Sequence, residues 1–120
     1  MARVVRYGYG PKDWFPGRHL MDEVKVLFRK WRDGEREVVA LFPEIPADRE
    51  GDLCESYMHV GQHGAADPRI VTHDTRAANP EEYRSLLREL GQIGYTHLKV
   101  VERITPVMNE KRRQAAAAFR

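Results

Sequence analysis

The chain has 120 residues, 42% hydrophobic and 32% charged, with a formal net charge of +2 at pH 7. That length makes one domain with a modest core, and the interspersed charges of both signs argue against a disordered or membrane-spanning protein. The small net charge excludes a strong overall attraction for polyanions, although basic residues crowd both ends of the chain.

Cys54 is the single cysteine, so no internal disulfide is expected. The opening MARVVRYGYG lacks the apolar stretch of a secretory signal, and no long apolar run follows. The expected location is therefore the cytoplasm, with no membrane partner.

Within residues 1–20, Gly8, Gly10, Pro11, Pro16 and Gly17 punctuate a run of aromatics, which predicts an irregular N-terminal arm. A single α+β domain is expected over 21–104, followed by a basic, alanine-rich tail or helix over 105–120. From Glu23 to Phe42 two β-rich runs flank Asp33-Gly34, a dipeptide that tolerates the positive φ angles of a two-residue hairpin turn. Such a turn pairs Trp31 with Arg36, Arg29 with Val38, Leu27 with Ala40 and Lys25 with Phe42. One face then carries Val24, Val26, Phe28, Val39 and Leu41 and is wholly apolar. The other mixes Lys25, Arg29, Trp31 and Arg36 with Leu27, Val38 and Phe42.

Pro43 and Pro46 are expected to end the second strand, since proline cannot donate to a ladder. A third strand is predicted from Leu53 to Val60, with Cys54, Ser56, Met58 and Val60 toward the core and Glu55, Tyr57 and His59 on the mixed face. Gly61 and Gly64 then break the pattern, and Ile70 to Thr75 reads as a short additional strand. Asn79, Pro80 and Glu82 form the signature of a capped helix start. Tyr83, Leu86, Leu87, Leu90 and Ile93 follow at helical spacing, and Gly94 is placed to stop the helix. Leu98 to Ile104 is the predicted last strand, and Thr105-Pro106 with QAAAA predicts a short terminal helix. The expected fold is thus α+β: an antiparallel sheet of four or five strands, in the order β-β-β-(β)-α-β, with one helix packed on one face.

The stretches ALFPEIPAD, CESYMHVGQHGAAD and TRAANPEEYRSLLRELGQIGY resemble a group of small uncharacterised bacterial and phage or plasmid proteins. The resemblance spans about residues 24 to 103 and is most specific in SYMHVGQHG and PEEY. It implies a compact domain often encoded on mobile elements, and brings with it no activity, cofactor or site residue.

His59, Gln62, His63, Asp67 and His73 form one polar segment at the end of the third strand and beyond it, where sites tend to be carried. On an extended backbone His59 and His63 point to one side, so His59, His63, Asp67 and His73 are candidate metal ligands of a metal-dependent hydrolase. The helical spacing and glutamate base of the paired-histidine zinc signature are missing, and hydrogen-bonded strand-end histidines are the commoner case. The pattern aims Cys54 at the core, which argues against a thiol nucleophile. With no nucleophile paired to a base, the expected function is a non-enzymatic binding or interaction module without a cofactor. Its candidate surface is Lys25, Arg29, Trp31, Arg36, Tyr57 and His59 on the mixed face, where Trp31 could stack a base. Leu27, Val38 and Phe42 make that face too apolar to stay wet, so the N-terminal arm or a second copy of the chain is expected to cover it. A protein partner or self-association is the leading expectation, and nucleic acid the alternative.

Overall fold

The structure, a computed structural model, describes residues 23–34, 37–59 and 61–118. The N-terminal arm, Arg36 and Val60 lie outside the described residues. The elements run β1 (Val24–Trp31), β2 (Val38–Pro46), β3 (Cys54–Met58), β4 (Gln62–Ala66), α1 (Pro68–Asp74), β5 (Thr75–Ala77), α2 (Pro80–Gln92), β6 (Leu98–Val101) and α3 (Pro106–Ala118). The fold is α+β, and its sheet has the order β4-β3-β2-β1-β5, with β6 also on β1. All pairs are antiparallel except β1 with β6, which is parallel, Val24 opposite Leu98 through Leu27 opposite Val101. The expected antiparallel sheet is present, and β6 differs from the expectation only in pairing parallel to β1. Helix α2 carries the chain from β5 at one end of β1 to β6 at the other, so β6 runs in the direction of β1.

The hairpin exists, but its register is one residue away from the two-residue turn: Leu27 faces Leu41, Phe28 faces Ala40 and Arg29 faces Val39. Trp31 O accepts from Gly34 N–H at 3.2 Å, and Gly34 has φ +77°, so the turn begins one position earlier and the connection is longer. A slip of one residue sends every side chain of β2 to the opposite face. Val38, Ala40 and Phe42 therefore join Val26 and Phe28, while Val39 and Leu41 join Leu27 and Trp31. The run VVALF is apolar at every position, so its pattern could not select one register. Strand β2 also continues past Pro43 to Pro46 through an irregularity, the setting in which a strand tolerates proline.

Both faces are consequently apolar, and helices cover both. On the front face, Leu86 and Leu90 of α2 bury Val26, Phe28, Ala40, Phe42 and Tyr57, with Tyr83 stacked on Phe28 and Tyr95 on Phe42 at centroid distances of 4.4 and 4.9 Å. On the back face, Val71 of α1 joins Leu27, Trp31, Val39, Leu41 and Cys54. Each such fully buried side chain contributes about 1.5–3 kcal/mol. Among the described residues, Val71 of α1 packs on the face expected to be covered by the arm or a second copy; the arm itself lies outside them. Trp31 is only 3% exposed.

The expected α2 is present with its full capping box at Asn79 and Glu82. Its end has the Schellman pattern: Tyr95 N–H donates to Leu90 O, Gly94 N–H donates to Gly91 O, and Gly94 has φ +123°. Ile70 to Thr75, read as a strand, is mostly the helix α1, because Asp67 caps through its side chain and Pro68 occupies the first turn. Strand β4 occupies a segment expected to be irregular. Gly61 makes the turn at φ +67°, Met58 pairs with Gln62, and Ser56 Oγ donates to Gly64 O at 3.1 Å. Helix α3 is no loose tail: Met108, Arg112 and Ala116 are buried, and Arg112 donates to Gly51 O at 2.7 Å and Pro43 O at 2.8 Å.

Candidate functional site

Two polar regions emerge, one on each face of the sheet. On the front face, β3 and β4 project Glu55, Tyr57 and His63 against the C-terminal half of α2. Tyr57 Oη donates to Glu89 Oε2 and accepts from Gly61 N–H at 2.9 Å, while His59 Nδ1 bonds Glu89 Oε1. One carboxylate on α2 therefore ties down both the strand and its turn. Burial and the bond to Glu89 push the Tyr57 phenol up to about 12. Burial pushes the Glu89 carboxyl up too, but the bonds from Tyr57 and His59 outweigh it and leave Glu89 below the usual carboxylate value. The same bond raises His59 above the ordinary imidazole value. An NMR titration is expected to place His59 higher than a free histidine, and Glu89→Gln to bring it down. An unchanged midpoint in that variant would show that the pair does not form.

Beside this network, burial holds Glu55 at about 8, so it is protonated at neutral pH, and its Oε2 has no hydrogen-bond partner among the described residues. His63 is pushed down to about 4 by burial and stays neutral, its ring edge-on to Tyr57 and its Nε2 3.4 Å from Tyr95 Oη. Both groups lie inside the protein, at 3% and 9% exposure.

The proposed metal ligands are not brought together. His59 is held by Glu89, His63 lies against Tyr95, Asp67 caps α1, and His73 is exposed beside Asp74. Among the described residues, no three His, Cys, Asp or Glu side chains form a group able to hold a metal ion. Cys54 is fully buried and its thiol is pushed up to about 12 by burial, so it is not a nucleophile near neutral pH.

The candidate mixed surface is also split, because the register slip leaves Tyr57 on the front face and Lys25, Arg29 and Trp31 on the back. Lys25 pairs with Glu44 at 3.1 Å. Arg29 Nε donates to Thr75 Oγ1 at 2.9 Å and its Nη2 donates to Thr75 O and Thr72 O, fastening the α1–β5 junction to β1. What Arg29 borders instead is the second region, a cleft of about 750 Å³ between α1, α3 and the β2–β3 connection. Among the described residues, five arginines line it (Arg29, Arg69, Arg103, Arg112 and Arg113) against three aspartates (Asp48, Asp52 and Asp67), with Leu27, Leu53, Pro68 and Ile104 among its apolar residues. Arg113 reaches Asp52 only at 4.0 Å, and Arg69 reaches Asp67 at 3.6 Å. The cleft therefore keeps a surplus of positive charge.

Glu55, Glu89 and Arg103 escaped the sequence reading as site residues. Glu89 was findable, since it sits three residues after Leu86 beside the apolar stripe. The arginine cleft was not, because its members come from separate elements that only the back-face packing assembles.

The fold and its polar regions define an α+β domain with a cationic cleft. Compared with known proteins, the chain matches no family model, no curated protein and no solved structure. Among the described residues no helix is long and apolar enough to cross a membrane.

Proposed function

We propose that the protein is a non-enzymatic binding module that takes an anionic ligand in the cleft between α1 and α3. The observation that carries this reading is the excess of arginine over aspartate around one concave site. Guanidinium groups suit such a task because they are planar, always charged and able to meet an oxyanion with two donors. The groups that chemistry would call on support the module reading by their positions: Cys54, Glu55 and His63 are buried, and Asp67 is engaged as a helix cap. The apolar residues that called for a covering, Leu27, Val38 and Phe42, are buried in the single chain.

Fluorescence anisotropy at low salt, with labelled single-stranded DNA and with small phosphates as competitors, tests the proposal. Binding is expected to weaken as salt rises. It should be lost in an Arg103→Glu, Arg113→Glu variant whose circular dichroism and melting temperature are unchanged. Trp31→Ala should lower stability without a specific loss of affinity, since a buried ring cannot stack a base. Failure of every anion to bind at low salt, or wild-type binding by the double variant, would overturn the reading.

A further inference from the structure

The cleft has features that narrow the ligand beyond its sign. Resting on the anion-binding reading, we infer that its ligand is a phosphate monoester, bound as the dianion and carried on a small organic body. Charge is the first reason: among the described residues the arginine surplus over Asp48, Asp52 and Asp67 is two. A monoester phosphate carries about −1.5 to −2 near neutral pH and matches it. A long polyanion would meet the three aspartates as well, and among the described residues no aromatic ring lines the cleft to stack its bases.

Size and lining are the second reason. A volume of about 750 Å³ with apolar side chains beneath a few fixed polar groups is the pattern of a small-molecule site, into which a sugar- or nucleoside-sized body fits. Preorganisation is the third. Arg29 commits Nε and Nη2 to Thr72 and Thr75, so its charge is held in place before any ligand arrives, while the buried Arg112, fixed on two carbonyls, adds charge without a ligand contact. Holding donors in place in advance lowers the ordering cost of binding. Arg29, half-buried at the cleft wall, and Arg103, exposed at its rim, would supply the oxyanion contacts.

Isothermal titration calorimetry on the full chain tests the inference with adenosine 5′-monophosphate, ribose 5-phosphate, inorganic phosphate, adenosine, and adenosine 3′,5′-cyclic monophosphate, which keeps the body but carries one charge. The two monoesters are expected to bind with dissociation constants below about 1 mM. The cyclic diester should bind at least about tenfold more weakly, inorganic phosphate more weakly than the organic monoesters, and adenosine not at all. Arg103→Ala, checked for an unchanged fold, should weaken the monoesters about tenfold or more, the effect of losing a charge-assisted hydrogen bond. Arg69→Ala, at an exposed neighbouring position, gives a second reading should the first variant fold poorly. Equal binding of adenosine and its monophosphate overturns the inference, as does equal binding of monoester and diester. If labelled DNA binds in a salt-dependent way while the monoesters do not, the anion-binding proposal stands and the monoester inference falls. If nothing anionic binds, both fall.

Discussion

Replacing Glu55 with Gln is expected to stabilise the protein by about 3 kcal/mol at pH 7, by more at pH 8, and hardly at all near pH 4. Folding raises the Glu55 carboxyl from 4.5 to about 8 by burying it. A carboxyl raised in this way contributes stability that is complete below its unfolded value, 4.5, and that is lost as the pH climbs to its folded value, about 8. Each pH unit in that window costs about 1.4 kcal/mol, because the unfolded chain releases a proton that the folded chain must keep. Glutamine occupies nearly the same volume and carries no such proton. His63 acts in the opposite direction. Folding lowers it from 6.5 to about 4, so its contribution is complete above 6.5 and is lost as the pH falls toward 4.

Between 4.5 and 6.5 the two slopes offset each other, and above 6.5 only that of Glu55 remains. The wild-type protein should therefore have a stability plateau on the acid side of neutrality and lose about 2 kcal/mol between pH 6.5 and 8. His59 is raised as well, but it is exposed and its pair with Glu89 is screened by solvent, so it adds little to this balance. Urea unfolding followed by tryptophan fluorescence from pH 4 to 9 measures these curves. Glu55→Gln should flatten the alkaline limb, and parallel curves for the two proteins would show that Glu55 ionises normally in the folded state.

The second large effect is expected at Arg112. The residue is 2% exposed and holds the β2–β3 connection at Gly51 O and β2 at Pro43 O, joining α3 to the sheet. Burial lowers its pKa, yet an arginine remains charged, and the two carbonyls take its Nε and one Nη1 donor. Arg112→Met keeps the aliphatic length but leaves both carbonyls without their donor, at a cost of about 2–4 kcal/mol. Gly51→Ala attacks the same joint from the other side. Gly51 has φ +79°, and a Cβ there would lie 2.8 Å from Arg113 Cα, which is backbone and cannot swing away. Hydrogen exchange should show α3 losing protection in both variants, and the two losses combined should be smaller than their sum because they break one contact. Full protection of α3 in Arg112→Met would mean that apolar packing alone holds the helix.

Some of this was decided locally. Helix α2 was legible to the residue because every determinant of its ends lies within the helix or beside it: the Asn79 and Glu82 box, Pro80, the Leu86 and Leu90 stripe, and Gly94. The same grammar was present in Asp67-Pro68 before α1, and the apparent alternation of Ile70 to Thr75 obscured it. Strands β1, β2 and β3 were legible as strands, since β-branched and aromatic runs bounded by turn residues define them. The tertiary structure alone decided which way the strands face. With the run VVALF of β2 apolar at every position, only closure by the helices, α2 on one side and α1 on the other, selects a register, and that register buries Trp31, turns Tyr57 to the opposite face, and encloses Glu55. The arginine cleft belongs to the same category. Arg29, Arg69, Arg103 and Arg113 come from four separate segments, and they converge where α1, packed over Leu27, Val39 and Leu41, meets α3 across the cleft. Local grammar is written in neighbouring residues, whereas a site made of charges from four segments exists only once the apolar faces between them have closed.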